Sequence, residues 1–189
     1  RLILINKIKE IGRALDAQCY HCALALALTL PDICGRVAYP NMSSLEQRKE
    51  RYEKWFDTYV ATQYFCSSNL NLPQNKNVLI NGYACYLLRC AYLHCGNFDL
   101  LSQNNEIHIK KFRLHIDKLS GENGNASFVS HSSVYVNGED MELDIDVYNL
   151  CYAIGQAAIE FYNSTPDKTL FKSEEIDDIS WSKGTLGIA

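Results

Sequence analysis

Two residues of one apolar segment have side chains that could act together on a phosphate group. Arg89 and His94 lie five positions apart, separated by Cys-Ala-Tyr-Leu. Arginine binds two phosphoryl oxygens through its planar guanidinium, and histidine gives or takes a proton near neutral pH. The pair is therefore a candidate catalytic site.

The surrounding pattern predicts that both residues lie on one helix. Asn81 is a good N-cap, and Gly96 stands where helices commonly end in a left-handed residue. His94 then lies in the last turn, where the helix dipole favours the protonated ring that a general acid needs. Residues five apart are about 140° apart around an ideal helix. Arg89 and His94 therefore share a face only if the helix tightens or widens near its end.

An arginine followed by four residues and a histidine on a helix resembles the signature of the HEPN superfamily (higher eukaryotes and prokaryotes nucleotide-binding domains). Those domains are small helical bundles, and many are metal-independent ribonucleases that work as dimers. The resemblance implies a metal-independent endoribonuclease, or a nucleotide- or RNA-binding domain, in bacterial stress or phage defence. It implies no cofactor and no metal, and it makes Arg89 and His94 the catalytic residues. Catalytic members usually have a polar residue after the arginine, whereas this chain has Cys90.

A second resemblance covers most of the chain. The segment Leu-Pro-Asp-Ile-Cys-Gly at Leu30–Gly35 accompanies an Arg/His helix in a group of uncharacterised bacterial proteins. This second resemblance implies no activity. Asp32, which follows a proline at a turn that ends a helix, is a third candidate as an orienting partner for Arg89 or His94. The alternative for Asp32 is a carboxylate that caps a turn, since aspartate favours turns.

RNA cleavage without a metal predicts a partner for this chain. The 2′-hydroxyl must lose a proton and the leaving 5′-oxygen must gain one, so an acid and a base are both needed. One chain offers one such histidine, and two chains offer two. We therefore expect a homodimer with helix 81–96 near the two-fold axis. The helix is apolar nearly all round, which predicts burial against the core on one side and against another helix or a second subunit on the other.

The alternative function is a noncatalytic interaction or dimerisation module with the same fold. Arg89 would then pair with a carboxylate such as Asp32 or Asp99, and His94 would cap a helix end. Cys90 favours this alternative. Outside the helix, His108, His115 and His131 with Lys110, Lys111 and Arg113 form the best candidate RNA contact, or simply a solvated strand face. Tyr52 is a core residue or a surface for stacking bases.

The eight cysteines raise two further hypotheses. Cys19, Cys22, Cys90 and His94 could bind zinc, although structural zinc ligands usually lie on turns rather than on apolar helix faces. Cys34 and His94 could form a nucleophile pair, although nothing in the sequence marks Cys34 as activated. Buried, reduced thiols are the better explanation.

Composition limits the function further. The net charge is −4, which excludes a broad basic face for polyanions. No run approaches the 18 apolar residues of a membrane span, and no signal peptide is visible. We expect a cytoplasmic protein without membrane contact.

The periodicity predicts a mainly helical α+β fold, with four to five helices and an inserted three-stranded antiparallel β-meander at about 106–146. Residues 1–166 form a single domain, followed by a tail at 167–189 that docks through Phe171 and Trp181. We expect a possible helix break at Gly12, a turn at Pro31–Gly35 and a capping box from Ser44 to Gln47. A β-bulge is expected at Lys110–Lys111, and a hairpin turn at Asn137–Gly138.

Overall fold

The computed structural model describes residues 3–64, 80–95, 108–116, 133–137 and 140–171. The described part is mainly helical with one small sheet, which confirms the α+β class. Its helices are α1 (Ile3–Asp16), α2 (Tyr20–Ala27), α3 (Leu30–Ala38), α4 (Arg48–Phe56), α5 (Thr62–Tyr64), α6 (Gly82–Cys90) and α7 (Val147–Ser164). A π turn extends α4 over Asp57–Ala61, and a second π turn extends α6 over Ala91–Cys95.

Helix α1 runs through Gly12 without a break, so the helix boundary expected there was wrong. The chain turns instead after Asp16, where Gln18 has a positive φ of 58°. A residue in this left-handed conformation ends a helix by turning the backbone away from the axis. The helical stripe that the sequence predicts is therefore divided after Asp16 rather than at Gly12.

The turn predicted at Pro31–Gly35 was also wrong, because this segment lies inside helix α3. Pro31 occupies the first turn, where a helix has no intrahelical partner for the N–H that proline lacks. The preceding helix α2 ends at Ala27, so proline marks the start of a new helix rather than a loop. Asp32 consequently projects from a first turn.

The Ser44–Gln47 pairing is present, although α4 begins only at Arg48. The Ser44 hydroxyl donates to Gln47 Oε1 at 3.0 Å, and the Gln47 N–H donates to Ser44 Oγ at 3.3 Å. Leu45 precedes the helix and is 77% exposed. The buried face is made by Tyr52 with Trp55 and Phe56.

Helix α7 is the centre of the packing. Asp146 caps it by accepting hydrogen bonds from the N–H groups of Tyr148 and Asn149. The helix packs against α1, α2, α3, the first π turn and the sheet, and buries most of its length. Phe171, in a 3₁₀ turn at Lys168–Phe171, is buried against Phe161, which confirms one expected anchor of the tail. Trp181 lies outside the described residues, and the domain division at 166 stays a prediction.

The sheet has three described strands, but it is not the antiparallel meander that we expected. Its strands are β1 (His108–His115), β2 (Ser133–Asn137) and β3 (Asp140–Asp146), in the order β1-β3-β2. The β2–β3 hairpin is antiparallel, as Asn137–Gly138 predicts, whereas β1 pairs with β3 in parallel. The predicted bulge is confirmed by a register shift between Ile109 and Lys111. Turn chemistry specifies a hairpin, but not which of its two strands meets β1.

The segment Tyr20–Ala38 is long and apolar enough to cross a membrane, with a mean hydropathy of 1.2. In the fold it is divided between α2 and α3, which both pack against α7. Core helices often have this composition, so the length and hydropathy are weak support for a membrane span. The cytoplasmic location and the absence of membrane contact stay predictions.

Candidate functional site

The start of α6 is fixed by two side chains and one glycine. Asn81 accepts a hydrogen bond from the Ala84 N–H at 2.9 Å, which confirms the predicted N-cap. Asp57, from the first π turn, accepts from the Gly82 N–H at 2.6 Å. Burial raises the pKa of Asp57, and this hydrogen bond partly offsets the effect. Gly82 lies so close to α4 that an added Cβ would stand 2.6 Å from Glu53 Cα. The backbone of α6 therefore rests directly on α4.

The end of α6 is a π turn at Ala91–Cys95, and His94 belongs to it. A π turn has i→i+5 hydrogen bonds, so it widens the helix and reduces the angle between residues five apart. Arg89 and His94 can share one face of the helix only if the helix tightens or widens, and this turn widens it. The side chain of His94 lies outside the described residues. Single π turns are also frequent at functional sites.

Arg89 and Asp32, from α6 and α3, form an ion pair. Arg89 Nη2 lies 2.8 Å from Asp32 Oδ2, with the side chains 16% and 21% exposed. The guanidinium carbon is 5.8 Å from the ring centre of Tyr52 and 5.9 Å from that of Tyr86. The two rings pack edge to face. Arg89 Nε is buried and has no hydrogen-bond partner within the described ranges. The ion pair and the two rings thus hold the guanidinium in one place.

Tyr52 does not form a surface for stacking bases, because it is completely buried. Its hydroxyl donates to the Leu28 carbonyl oxygen at 3.2 Å and lies 3.4 Å from Cys85 Sγ. Burial, and secondarily the neighbouring Cys85, raise the pKa of Tyr52 well above 10.0. Tyr52 therefore supports Arg89 from the core as a neutral ring. Tyr86 was not among our candidates, although its position three residues before Arg89 on one helix could have identified it.

The Leu30–Gly35 segment is explained residue by residue by the contacts of α3. Leu30 and Cys34 are completely buried, and Asp32 faces Arg89. Gly35 allows close approach to α4, since an added Cβ would lie 3.1 Å from the carbonyl oxygen of Arg51. This six-residue pattern therefore positions the acidic partner of Arg89.

Arg51 adds a second cation near Asp32. It is 6% exposed and donates from Nη1 to the Met42 carbonyl oxygen at 2.6 Å. Burial lowers the pKa of Arg51, and the negative charge of Asp32 raises it again. One carboxylate thus lies among arginines of α4 and α6, which makes this edge of the bundle locally cationic.

The second π turn is joined to α2 through Tyr92. Its hydroxyl lies 2.6 Å from His21 Nδ1 and donates to the His21 carbonyl oxygen at 3.2 Å. The two rings are also stacked, 9° from parallel. This contact fixes the backbone that carries His94. We did not identify His21 from the sequence, because the two residues are 71 positions apart.

The zinc and nucleophile hypotheses receive no support from the described side chains. Within these residues no group of three His, Cys, Asp or Glu side chains is placed to hold a metal ion. Cys19 and Cys22 are exposed and Cys90 is half-buried. Cys34 is completely buried, and burial raises the pKa of its thiol, which keeps the sulfur protonated. A protonated, enclosed thiol is a poor nucleophile.

The candidate RNA-contact residues of the sheet region are distant in sequence from both Arg89 and Asp32. His115 is half-buried on β1, and Arg113 forms an ion pair with Glu142 at 2.6 Å. Lys110 is exposed beside the bulge. The side chains of His108 and His131 lie outside the described residues, as does Asp99, the other carboxylate that we considered for Arg89.

Comparisons of this chain with protein-family models, with curated proteins and with solved structures find no match.

Proposed function

We propose that this chain is a HEPN-like domain that binds RNA and cleaves it without a metal, as a homodimer. Arg89 binds the phosphoryl oxygens, and His94 acts as acid in one subunit and as base in the other. Asp32 positions Arg89. This assignment joins the Arg-x4-His resemblance to the chemistry of the described residues.

The observation that carries the proposal is the π turn after α6. An ideal helix would separate positions 89 and 94 by about 140°, which was the main geometric objection to a common site. The i→i+5 turn at Ala91–Cys95 reduces that angle. Arg89 supports the same conclusion, since Asp32 and two tyrosine rings hold its guanidinium in one place.

The proposed dimer face consists of the half-buried side chains of α6 and its π turn. They share an apolar or aromatic character and are partly accessible in the single chain: Tyr83, Tyr86, Leu87, Cys90 and Leu93. Closing this face against a second copy would bury them and bring two copies of the π turn near the two-fold axis.

The second candidate is the noncatalytic module, and the Arg89–Asp32 ion pair favours it. Arg89 has a charge partner within its own chain, at 2.8 Å and mostly out of solvent. This ion pair is sufficient to explain an arginine whose role is only structural. In that case α6 would still form the dimer face, but the protein would not cleave RNA.

Cleavage of a labelled RNA by the purified protein in EDTA separates the two candidates. We expect products that end in 2′,3′-cyclic phosphate, because the 2′-hydroxyl is the nucleophile. His94→Ala should lower the rate by about 100-fold or more, since general acid–base catalysis contributes on that order. Arg89→Lys should lower it by about 100-fold, because lysine lacks the planar fork.

A matched variant controls for the removal of a positive charge. Arg36→Ala removes an exposed arginine of α3. It should cleave at the native rate. Cleavage that persists in His94→Ala would assign the activity to another site. A native protein that sediments as a dimer but does not cleave RNA would establish the noncatalytic module instead.

A further inference from the structure

The described cysteines differ in accessibility, and apart from the half-buried Cys90 they are either buried or exposed. Cys34, Cys85 and Cys151 are buried, and burial raises the pKa of each thiol, to about 12 for Cys85. These thiols stay protonated and enclosed. Cys19 and Cys22 are exposed, and they are three residues apart in the sequence Cys-Tyr-His-Cys. The accessible sulfurs of the described part thus include an adjacent pair.

The pair lies at the N-terminus of α2. Cys19 is the N-cap, with a non-helical backbone of φ −85° and ψ 61°, and its side chain makes no capping hydrogen bond. Its thiol donates a long hydrogen bond of 3.7 Å to the Ala17 carbonyl oxygen, outside the helix. Cys22 is in the first turn, and residues three apart on a helix are neighbours. The Cys-x-x-Cys spacing at a helix start is the arrangement that proteins use for thiol–disulfide exchange.

The residues between the two cysteines are held in place. His21 stacks on Tyr92, and its carbonyl oxygen accepts a hydrogen bond from the Tyr92 hydroxyl, whose oxygen lies 2.6 Å from His21 Nδ1. These contacts tie the first turn of α2 to the second π turn. The two sulfurs therefore project from a fixed turn into solvent, where a small disulfide can reach them.

We propose that Cys19 and Cys22 are a redox-active pair that exchanges between a dithiol and an internal disulfide, with a low-molecular-weight disulfide as the oxidant. The Cys19 thiolate attacks one sulfur of the oxidant, forms a mixed disulfide and releases the first thiol, which takes up a proton. The Cys22 thiolate then attacks Cys19 Sγ and releases the second thiol, again with a proton. Two electrons and two protons pass to the oxidant, and one Sγ–Sγ bond forms.

The proposal does not depend on ribonuclease activity. In a reducing compartment a disulfide of this kind is transient, and such bonds in cytosolic proteins are catalytic or redox-sensing. The link from His21 to Tyr92 means that the redox change occurs next to the turn that carries His94. The dithiol can be tested by itself, whether or not the chain cleaves RNA.

The test equilibrates the full native chain in buffers with graded ratios of reduced to oxidised glutathione. Free thiols are blocked with iodoacetamide after acid quenching, and peptides are mapped by mass spectrometry. We expect one peptide that contains both Cys19 and Cys22, not alkylated and lighter than the dithiol by two hydrogen atoms, that reduced glutathione returns to the dithiol. Circular dichroism should remain unchanged, because the exposed pair leaves the core intact.

Two variants sharpen the result. Cys22→Ser removes the resolving thiol, so Cys19 should accumulate as a stable mixed disulfide with glutathione. Cys90→Ser, which changes a half-buried thiol of α6, should form the Cys19–Cys22 disulfide as the native chain does. The proposal is overturned if the native chain keeps both thiols free across the series. It is also overturned if glutathione remains on Cys19 without exchange, or if either cysteine pairs elsewhere.

Discussion

The two ends of helix α6 are held by different kinds of interaction. The start rests on a backbone contact of Gly82 with α4, and its first N–H groups donate to the side chains of Asn81 and Asp57. The end, which carries the candidate chemistry, is held by side chains of α2 and α3, through the contacts of Tyr92 with His21 and of Arg89 with Asp32. Side-chain contacts can be exchanged for ligand contacts without moving the helix. A backbone contact cannot.

The largest expected effect is at the start of α6. Gly82→Ala places a methyl group against the Glu53 carbonyl oxygen and 2.6 Å from its Cα, so the helices must separate. We expect a loss of about 3 kcal/mol or more in the free energy of unfolding, measured in urea.

Gly155→Ala is the matched control, because an added Cβ in this part of α7 meets no described atom within 4 Å. It should gain up to about 1 kcal/mol from helix propensity. Equal effects of the two substitutions would contradict a backbone contact at Gly82.

The ion pair at the other end should have a smaller effect. Asp32→Asn leaves the Arg89 guanidinium, 16% exposed, without its carboxylate. We expect a loss of about 1–3 kcal/mol, below that of a fully buried pair because the site is partly solvated. A double-mutant cycle with Arg89→Gln measures the coupling, and additive losses would show that the pair contributes nothing.

The middle of α6 should respond to alkaline pH. Burial raises the pKa of Cys85 from 9.0 to about 12, so in that interval the unfolded chain has lost a thiol proton that the folded chain keeps. The contribution of this thiol to the free energy of unfolding is therefore constant below pH 9.0 and falls above it, by about 1.4 kcal/mol per pH unit. Thermal unfolding at several pH values between 8 and 11 measures how steeply the free energy of unfolding falls with pH.

Cys85→Ala should make that alkaline slope shallower, since one of the buried thiols no longer titrates. Cys34 and Cys151 remain, and their raised pKa values act in the same direction. An unchanged slope in the variant would mean that Cys85 is accessible in the folded chain.

The smallest effect is expected at Tyr92. Tyr92→Phe removes the hydroxyl that contacts His21 but keeps the ring stack, so the loss should be about 1 kcal/mol. Tyr83→Phe is the comparison at the start of α6, where the ring contacts Lys49 Nζ at 4.9 Å and phenylalanine preserves that contact. A larger loss from Tyr83 than from Tyr92 would contradict the importance of the hydroxyl.

Local sequence predicted the parts of this fold that depend on neighbouring residues. Asn81 caps its helix, the bulge lies between Ile109 and Lys111, and β2 and β3 pair antiparallel as the predicted hairpin requires. Each of these features is decided by hydrogen bonds or torsion angles within a few residues, so a short stretch of sequence contains the information.

The sequence by itself determined a helical domain with a small sheet and selected Arg89 and Asp32 as candidates. Only the tertiary structure decided that these two side chains meet, that β3 lies between β1 and β2, and that the helix carrying Arg89 ends in a π turn. Those outcomes depend on packing between segments far apart in the chain. The energies that select them come from contacts no local pattern encodes, because the same local choices are compatible with several arrangements in space.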